Sequence, residues 1–160
     1  MVATELTAER TAGQQALKSW KMHRNALLEL AETLPESGGA YSPWEGAMTT
    51  LELIHHLAWT PDFFFAGMEE REMNIPQVPS TVAEARVLLK QLTHEHEQKL
   101  ASYSESDLKQ IKSVKALNIT EPVLEILHRL VGHEAHHKGQ LYVYARMLGV
   151  KPPFYVDLSL

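Results

Sequence analysis

The feature that most constrains the fold is helical periodicity: four long segments carry apolar residues three and four positions apart, and prolines and glycines separate these segments. The first helix is expected from about Thr7 to Leu34, where Pro35 ends it. Its apolar residues at this spacing are Leu17, Trp20, Leu27, Leu28 and Leu30. No segment shows the period-two alternation of a half-buried strand. The pattern therefore predicts an all-α protein.

Three further helices are expected in residues 49–73, 81–103 and 120–148. Thr60-Pro61 interrupts the second of them, either as a kink or as the start of a new helix. The residues between the third and fourth helices show no legible pattern. Because four amphipathic helices of this length can bury one another's apolar stripes, we predict an up-and-down four-helix bundle that forms a single domain over residues 1–160.

Composition removes several classes of protein. The 160 residues include nine histidines and no cysteine, which excludes disulfides, thiolate metal sites and a cysteine nucleophile. A net charge of −5, with no run of lysine or arginine, argues against nucleic acid as a partner. The longest apolar stretch, residues 63–68, is too short to span a membrane, and charges replace the apolar region of a signal peptide. We therefore expect a cytoplasmic protein with no membrane partner.

Four of the nine histidines lie close together in the last helix, and two of them share a face. His133 and His137 are four residues apart, so their imidazoles are stacked one turn apart and can bind one metal ion. That face also carries Ile126, Leu130, Leu141 and Tyr144. The face is mostly apolar and is expected to point into the bundle, whereas His128 and His136 are rotated away from it. The alternative is a pair of ordinary core histidines, but buried ring nitrogens need partners, which a metal supplies.

A third ligand is needed, and the second helix offers the best candidates. His55 and His56 lie in an otherwise apolar run, and periodicity alone does not choose between them. His23 is flanked by Lys21 and Arg24, which suggests a solvated face. The charged stretch around His94 and His96 is expected to be exposed helix surface. Three histidine ligands with the remaining positions open to water or substrate are typical of a catalytic metal rather than a structural one.

A competing motif overlaps the same residues. Residues 133–137 match H-E-x-x-H, in which the glutamate, here Glu134, is the general base of a zinc metalloprotease. The longer form of that motif fails, because Gln140 and Val143 occupy its glycine and third histidine positions. Such proteases bind peptides along a sheet edge, and no strand is predicted here. Helix geometry also turns Glu134 about 100° away from His133, so a peptidase is the weaker interpretation.

The segment HEAHHKGQLYVYARMLG, together with LIHHLAW on the second helix, resembles the DinB/YfiT-like superfamily of bacterial metal-binding four-helix bundles. In that family a histidine on the second helix joins two histidines spaced H-x-x-x-H, which precede a glycine and a glutamine. The resemblance assigns the metal ligands to His56, His133 and His137, with Gly139 and Gln140 completing the motif. Lysine follows the last histidine where the family often has arginine. The resemblance extends over nearly the whole chain.

The resemblance implies a homodimer that binds zinc, nickel or iron and uses the ion to activate a low-molecular-weight thiol for transfer or isomerisation. Our first hypothesis is therefore a metal-dependent thiol transferase whose partner is a small-molecule substrate or thiol. Since the chain has no cysteine, the thiol must come from outside. The second hypothesis is a non-catalytic stress-response protein with a structural metal, and a metal-dependent hydrolase is the third.

Further residues are expected around this site. Gln140 shares the face of His137 and can orient a ligand, or it can be a packing residue. Glu52, one turn before His56, is expected to accept that histidine's second ring proton. Gly139 is expected where two helices approach closely. A substrate pocket, or simply core, is expected from the aromatic residues Trp44, Trp59, Phe63, Phe64 and Phe65.

Overall fold

A computed structural model describes residues 11–160. The helices are α1 (Ala12–Thr33), α2 (Thr50–Glu69), α3 (Val82–Ala101), α4 (Glu105–Lys109) and α5 (Val123–Met147). The strands are β1 (Ile111–Val114) and β2 (Ile119–Pro122). The four long helices confirm the predicted all-α four-helix bundle. The predicted start of the first helix, at residue 7, lies outside the described residues.

Threonines begin three of the long helices. The side chains of Thr11, Thr49 and Thr81 each accept a hydrogen bond from the backbone N–H three residues on. In α1 and α2 the residue at that position returns the bond, which completes a capping box. In α3 the carboxylate of Glu84 accepts instead from the backbone N–H of Ser80 at 2.8 Å. The caps at Thr49 and Thr81 place the starts of α2 and α3 where the sequence predicts them.

The second helix passes through Pro61 without a break. α2 is continuous from Thr50 to Glu69, so Pro61 begins no new helix. Glu70, with a left-handed φ of 53°, ends it three residues before the predicted Met73. Proline has no N–H, so the carbonyl of Leu57, one turn earlier, receives no helical hydrogen bond.

The order of the helices around the bundle is α1, α3, α2, α5, so that α1 and α2 lie on a diagonal. Lys21 of α1 pairs with Glu97 near the end of α3, and Arg86 near the start of α3 donates to Ala31, so α1 and α3 are antiparallel. Contacts of Phe65 with His96 and of Glu69 with Lys99 make α2 and α3 parallel.

His56 contacts His137, and Phe64, further along α2, contacts the earlier His133, so α2 and α5 are antiparallel. In chain order the four long helices therefore run up, down, down, up instead of alternating in direction as in an up-and-down bundle. The physical reason is the connection after α2. Residues 71–80 form no helix or strand, and His55 Nε2 lies 2.7 Å from the carbonyl oxygen of Pro76, halfway along α2. Ten extended residues span about 33 Å, enough to return along a 20-residue helix of about 30 Å.

Sequence reasoning missed a short β-hairpin. Strands β1 and β2 pair antiparallel, with Ile111 opposite Pro122 and Val114 opposite Ile119. As a result α5 begins at Val123 and not near Thr120. Each strand has only four residues, and their burial does not alternate, so period two is not visible.

Two apolar clusters form the core. One lies towards the end of α5 and contains Leu27, Leu30, Leu53, Leu57 and Leu141 among others. The second lies towards its start and contains Trp20, Phe64, Phe65, Ile126 and Leu130. Ile126, Leu130, Leu141 and Tyr144, predicted to face the bundle, are all buried. No helix within residues 11–160 has the length and continuous apolarity needed to cross a bilayer.

Candidate metal centre

Three histidines from two helices converge at one point on the bundle. Nε2 of His56 on α2 lies 3.0 Å from Nε2 of His133 on α5. The ring centre of His137 lies 4.5 Å from that of His56 and 4.4 Å from that of His133. One ring nitrogen from each residue falls within 4.8 Å of the other two. The structure thus brings together the three residues that the family resemblance indicates.

The structure separates His55 from His56, which periodicity alone left open. His55 is buried, and its Nε2 lies 2.7 Å from the carbonyl oxygen of Pro76. That contact holds the loop after α2 against the helix. His56 points to the other side, towards α5, and stacks edge-on against Trp59 with ring centres 5.7 Å apart.

The three imidazoles are kept neutral by their surroundings. Burial, helped by the neighbouring histidines, lowers the pKa of His56 to about 4 and the pKa of His133 to about 3. Burial also lowers the pKa of His137, although its hydrogen bond to Gln140 acts in the opposite direction. Neutral imidazole is the form that binds a metal. At neutral pH all three rings are therefore ready to act as ligands.

Hydrogen bonding at His137 leaves the correct ring nitrogen free. Its Nδ1 lies 2.6 Å from Oε1 of Gln140, an atom that only accepts, so Nδ1 carries the proton. Nε2 then carries the free electron pair, as in metal sites where the outer nitrogen is fixed by a hydrogen bond. Gln140 was predicted to orient a ligand, and in the structure it contacts the candidate ligand His137.

The donor set fits a divalent ion. The Nε2 atoms of His56 and His133 face each other at 3.0 Å, a separation that two ligands of one ion can have. Nitrogens about 2.1 Å from one zinc ion would be about 3–3.4 Å apart. Zinc, nickel and iron all accept imidazole ligands. Among residues 11–160 the group has three members, and all three are half-buried rather than enclosed.

Glu134, the glutamate of the H-E-x-x-H motif, lies away from the three histidines. Its carboxylate accepts from Nε of Arg24 at 2.6 Å and from Nη2 of the same residue at 2.8 Å. Both side chains are buried, with exposed fractions of 0% for Arg24 and 1% for Glu134. A carboxylate held in this way by a buried guanidinium is a counter-ion, which removes the basis of the metalloprotease interpretation.

Arg24 is the residue that sequence reasoning missed. His23 was expected on a solvated face because Lys21 and Arg24 flank it, but Arg24 is completely buried. His23 itself is half-buried, with Nδ1 3.1 Å from Nζ of Lys138. The available signal was the spacing of Arg24, which lies four residues after the core residue Trp20 and three before the core residue Leu27.

The remaining histidines are divided between surface and core. His94 is exposed, as predicted, and His128 and His136, predicted to be rotated away from the buried face of the last helix, are exposed as well. His96 was also expected on the surface, but it is buried against Phe65 with ring centres 5.8 Å apart. Burial, followed by the charge of Arg24, lowers the pKa of His96 to about 3.

Two other expectations around the site are wrong. The carboxylate of Glu52 accepts from the backbone N–H of Thr49 at 2.7 Å, so it caps α2 and does not support His56. Gly139 is exposed, and a β-carbon added there would meet no atom within 4 Å. No close approach of helices therefore requires this glycine.

The aromatic residues fall into three groups. Trp59 and Phe64 lie beside the histidines, and the ring centre of Phe64 is 6.2 Å from that of His133. Phe65 belongs to the core, and Trp44 is 66% exposed. Phe63, two turns beyond His56 on α2, lines an open cavity of about 300 Å³. The other lining residues lie at or just after the end of α2 and in the segment around Val114, and none of the three histidines is among them.

The fold and the site together define a class: four-helix-bundle proteins in which three histidines from two helices converge. Comparison with known proteins agrees with that class. The sequence profile of the DinB family matches residues 4–158, so the chain belongs to the DinB family. It is 30% identical over 145 residues to the uncharacterized protein YjoA of Bacillus subtilis (strain 168), covering 88% of this chain and 94% of YjoA.

Solved structures show the same fold. The crystal structure of the DinB-like YjoA from Bacillus subtilis has a TM-score of 0.74 at 26% identity, covering 89% of this chain and 99% of that one. A DinB-like protein from Bacillus cereus has a TM-score of 0.76 at 19% identity, with coverages of 86% and 93%. YfiT from Bacillus subtilis has a TM-score of 0.66 at 15% identity, with coverages of 90% and 93%. YfiT is described as a probable metal-dependent hydrolase with an unusual four-helix bundle topology.

Proposed function

We propose that this protein is a divalent-metal-dependent enzyme in which His56, His133 and His137 hold the ion. The observation that carries the proposal is the convergence of three neutral, half-buried imidazoles with no fourth protein ligand among residues 11–160. Three protein ligands leave a coordination position open to solvent or substrate, which is the arrangement of catalytic metal sites. A purely structural ion is more often closed by four protein ligands.

For the reaction, we propose transfer or isomerisation that uses a low-molecular-weight thiol. A divalent ion at an open site lowers the pKa of a bound thiol or water towards neutrality. The chain has no cysteine, so no thiol of its own competes with the external thiol for the ion or for the electrophile. A homodimer in the cytoplasm, with a small-molecule thiol as partner, belongs to the same proposal.

Hydrolysis is the second candidate, because YfiT is described as a probable metal-dependent hydrolase. In this chain Glu134 is paired with Arg24 and cannot serve as the base that activates water. A hydrolytic reaction would therefore depend on the ion alone to supply the nucleophile. This makes hydrolysis the less favoured of the two reactions here.

Metal binding is tested first, on protein purified without a histidine tag. Elemental analysis and calorimetric titration with zinc, nickel and iron are expected to show one ion per chain. His137→Ala is expected to lose it, whereas His128→Ala is the matched control because that histidine is exposed on the same helix. Metal content that is absent in the wild type, or unchanged in His137→Ala, contradicts the assigned site.

The reaction class is tested with the cobalt-substituted protein. Glutathione, bacillithiol and mycothiol are titrated separately, and sulfur-to-cobalt charge-transfer absorption is expected with at least one of them. A four-coordinate spectrum that no thiol alters would favour the structural metal instead. Turnover of ester or amide substrates without any thiol would favour the hydrolase.

A further inference from the structure

We infer that Arg24 is a positioning residue for the three-histidine site, since it fastens together the two helices that supply His56 and His133. The inference rests on the proposed metal site. Arg24 contacts the immediate sequence neighbours of two candidate ligands on two different helices. Its side chain is fully buried, and none of the three histidines touches it through a hydrogen bond.

On α5 the contact is with Glu134, which directly follows His133. Two hydrogen bonds of 2.6 and 2.8 Å join the guanidinium to the carboxylate. A bidentate pair of this kind fixes direction as well as distance, because the planar fork fits the carboxylate in one orientation. The pair therefore opposes rotation of α5 about its axis, which would carry His133 away from α2.

On α2 the contact is with the backbone next to His56. Nη2 of Arg24 donates to the carbonyl oxygen of Leu57 at 2.8 Å. This carbonyl is available because Pro61, four residues on, has no N–H to donate. Arg24 thus replaces the missing helical donor, and in doing so it fastens the backbone of α2 at the turn that carries His56.

The third side of the guanidinium is also held. Nη1 donates to Oγ1 of Thr93 on α3 at 3.2 Å, and that hydroxyl donates to the carbonyl oxygen of Leu89. Arg24, from α1, therefore has a partner on each of the other three long helices. A guanidinium with every partner buried cannot exchange them for water at low cost. We infer that these contacts of Arg24 maintain the separation of 3.0 Å between His56 Nε2 and His133 Nε2.

The test uses Arg24→Met/Glu134→Leu, which removes both charges together. Apolar residues of similar volume commonly maintain or raise stability when they replace a buried ion pair, so the fold is expected to survive. Zinc affinity at neutral pH is expected to fall about tenfold to 100-fold, as for other residues that orient metal ligands. The visible spectrum of the cobalt form is expected to change. A folded double variant with wild-type affinity and spectrum would overturn the inference.

Two further variants test the positioning role of Arg24 even if the double variant does not fold. Arg24→Lys keeps the charge opposite Glu134, but one ammonium cannot reach both carboxylate oxygens and the Leu57 carbonyl, so weaker zinc binding is expected here as well. Wild-type affinity in folded Arg24→Lys overturns the inference even if the double variant fails to fold. The matched control, Arg129→Met/Glu121→Leu, removes a partly exposed pair between α5 and β2 and is expected to bind zinc normally. Failure of the wild type to bind zinc contradicts the proposed function itself, whereas equal binding by wild type and Arg24 variants contradicts only the positioning role.

Discussion

Nδ1 of His137 lies 2.6 Å from Oε1 of Gln140, three residues further along α5. This contact fixes both the ring orientation and the position of the ring proton. Gln140→Ala is therefore expected to weaken zinc binding about tenfold or more. Competition with a chromophoric chelator measures the affinity. Because Gln140 is only half-buried, the melting temperature of the metal-free protein is expected to change little.

The chain offers a matched control for this variant. Nε2 of Gln98 lies 3.1 Å from Nε2 of His94, so a second glutamine contacts a histidine outside the site. Gln98→Ala is expected to bind zinc with wild-type affinity. Equal affinities for Gln140→Ala and Gln98→Ala would show that the contact at His137 does not support a metal ligand.

The buried ring of His96 makes stability depend on pH. Burial lowers its pKa to about 3, so the unfolded chain, where histidine titrates near pH 6.5, binds the proton more readily. The contribution of His96 to stability is complete above about pH 6.5 and is lost as the pH falls from there towards 3, by at most about 1.4 kcal/mol per pH unit. His96→Leu is expected to lose less stability than wild type between pH 7 and pH 4.5. Urea unfolding of the metal-free proteins measures this difference.

His94→Leu is the control for the pH experiment. It removes a histidine two residues away that is exposed on the same helix, and it is expected to show the wild-type pH dependence. The other histidines titrate in every variant and cancel in the comparison. Parallel stability curves for wild type and His96→Leu would mean that His96 is not kept neutral by burial.

Patterns within short stretches of sequence were enough to predict most of the fold and part of the site. Apolar spacing located the four long helices, because it acts within a few residues of chain. The parallel course of α2 and α3 depends on a loop whose path is set by a contact between His55 and Pro76, which has no local signature. The buried state of Arg24 likewise depends on Glu134, 110 residues away. Pairing between residues so far apart in sequence cannot be predicted from the charges of neighbouring residues.

Glu134 distinguishes a counter-ion from a catalytic base. Glu134→Gln keeps a hydrogen-bond acceptor but leaves the guanidinium of Arg24 buried without a negative charge. The variant is expected to lose about 3–5 kcal/mol of unfolding free energy, as when one partner of a buried ion pair is removed. Urea unfolding of the metal-free protein measures the loss. A general base would instead be replaced with little change in stability, and the exposed Glu125→Gln on the same helix is the control.

Two glycines inside helices are expected to respond to alanine in opposite directions. At Gly67 on α2 a new β-carbon would lie 2.9 Å from Cγ1 of Val114, a side chain of β1 that is itself buried. The overpacking penalty of about 1–3 kcal/mol exceeds the gain of about 1 kcal/mol in helix propensity, so Gly67→Ala is expected to lower stability. At Gly139 the same change meets open space and is expected to raise stability by about 1 kcal/mol. Thermal unfolding of both variants measures whether the melting temperature falls or rises. A lower melting temperature for Gly139→Ala would contradict the open space at this position.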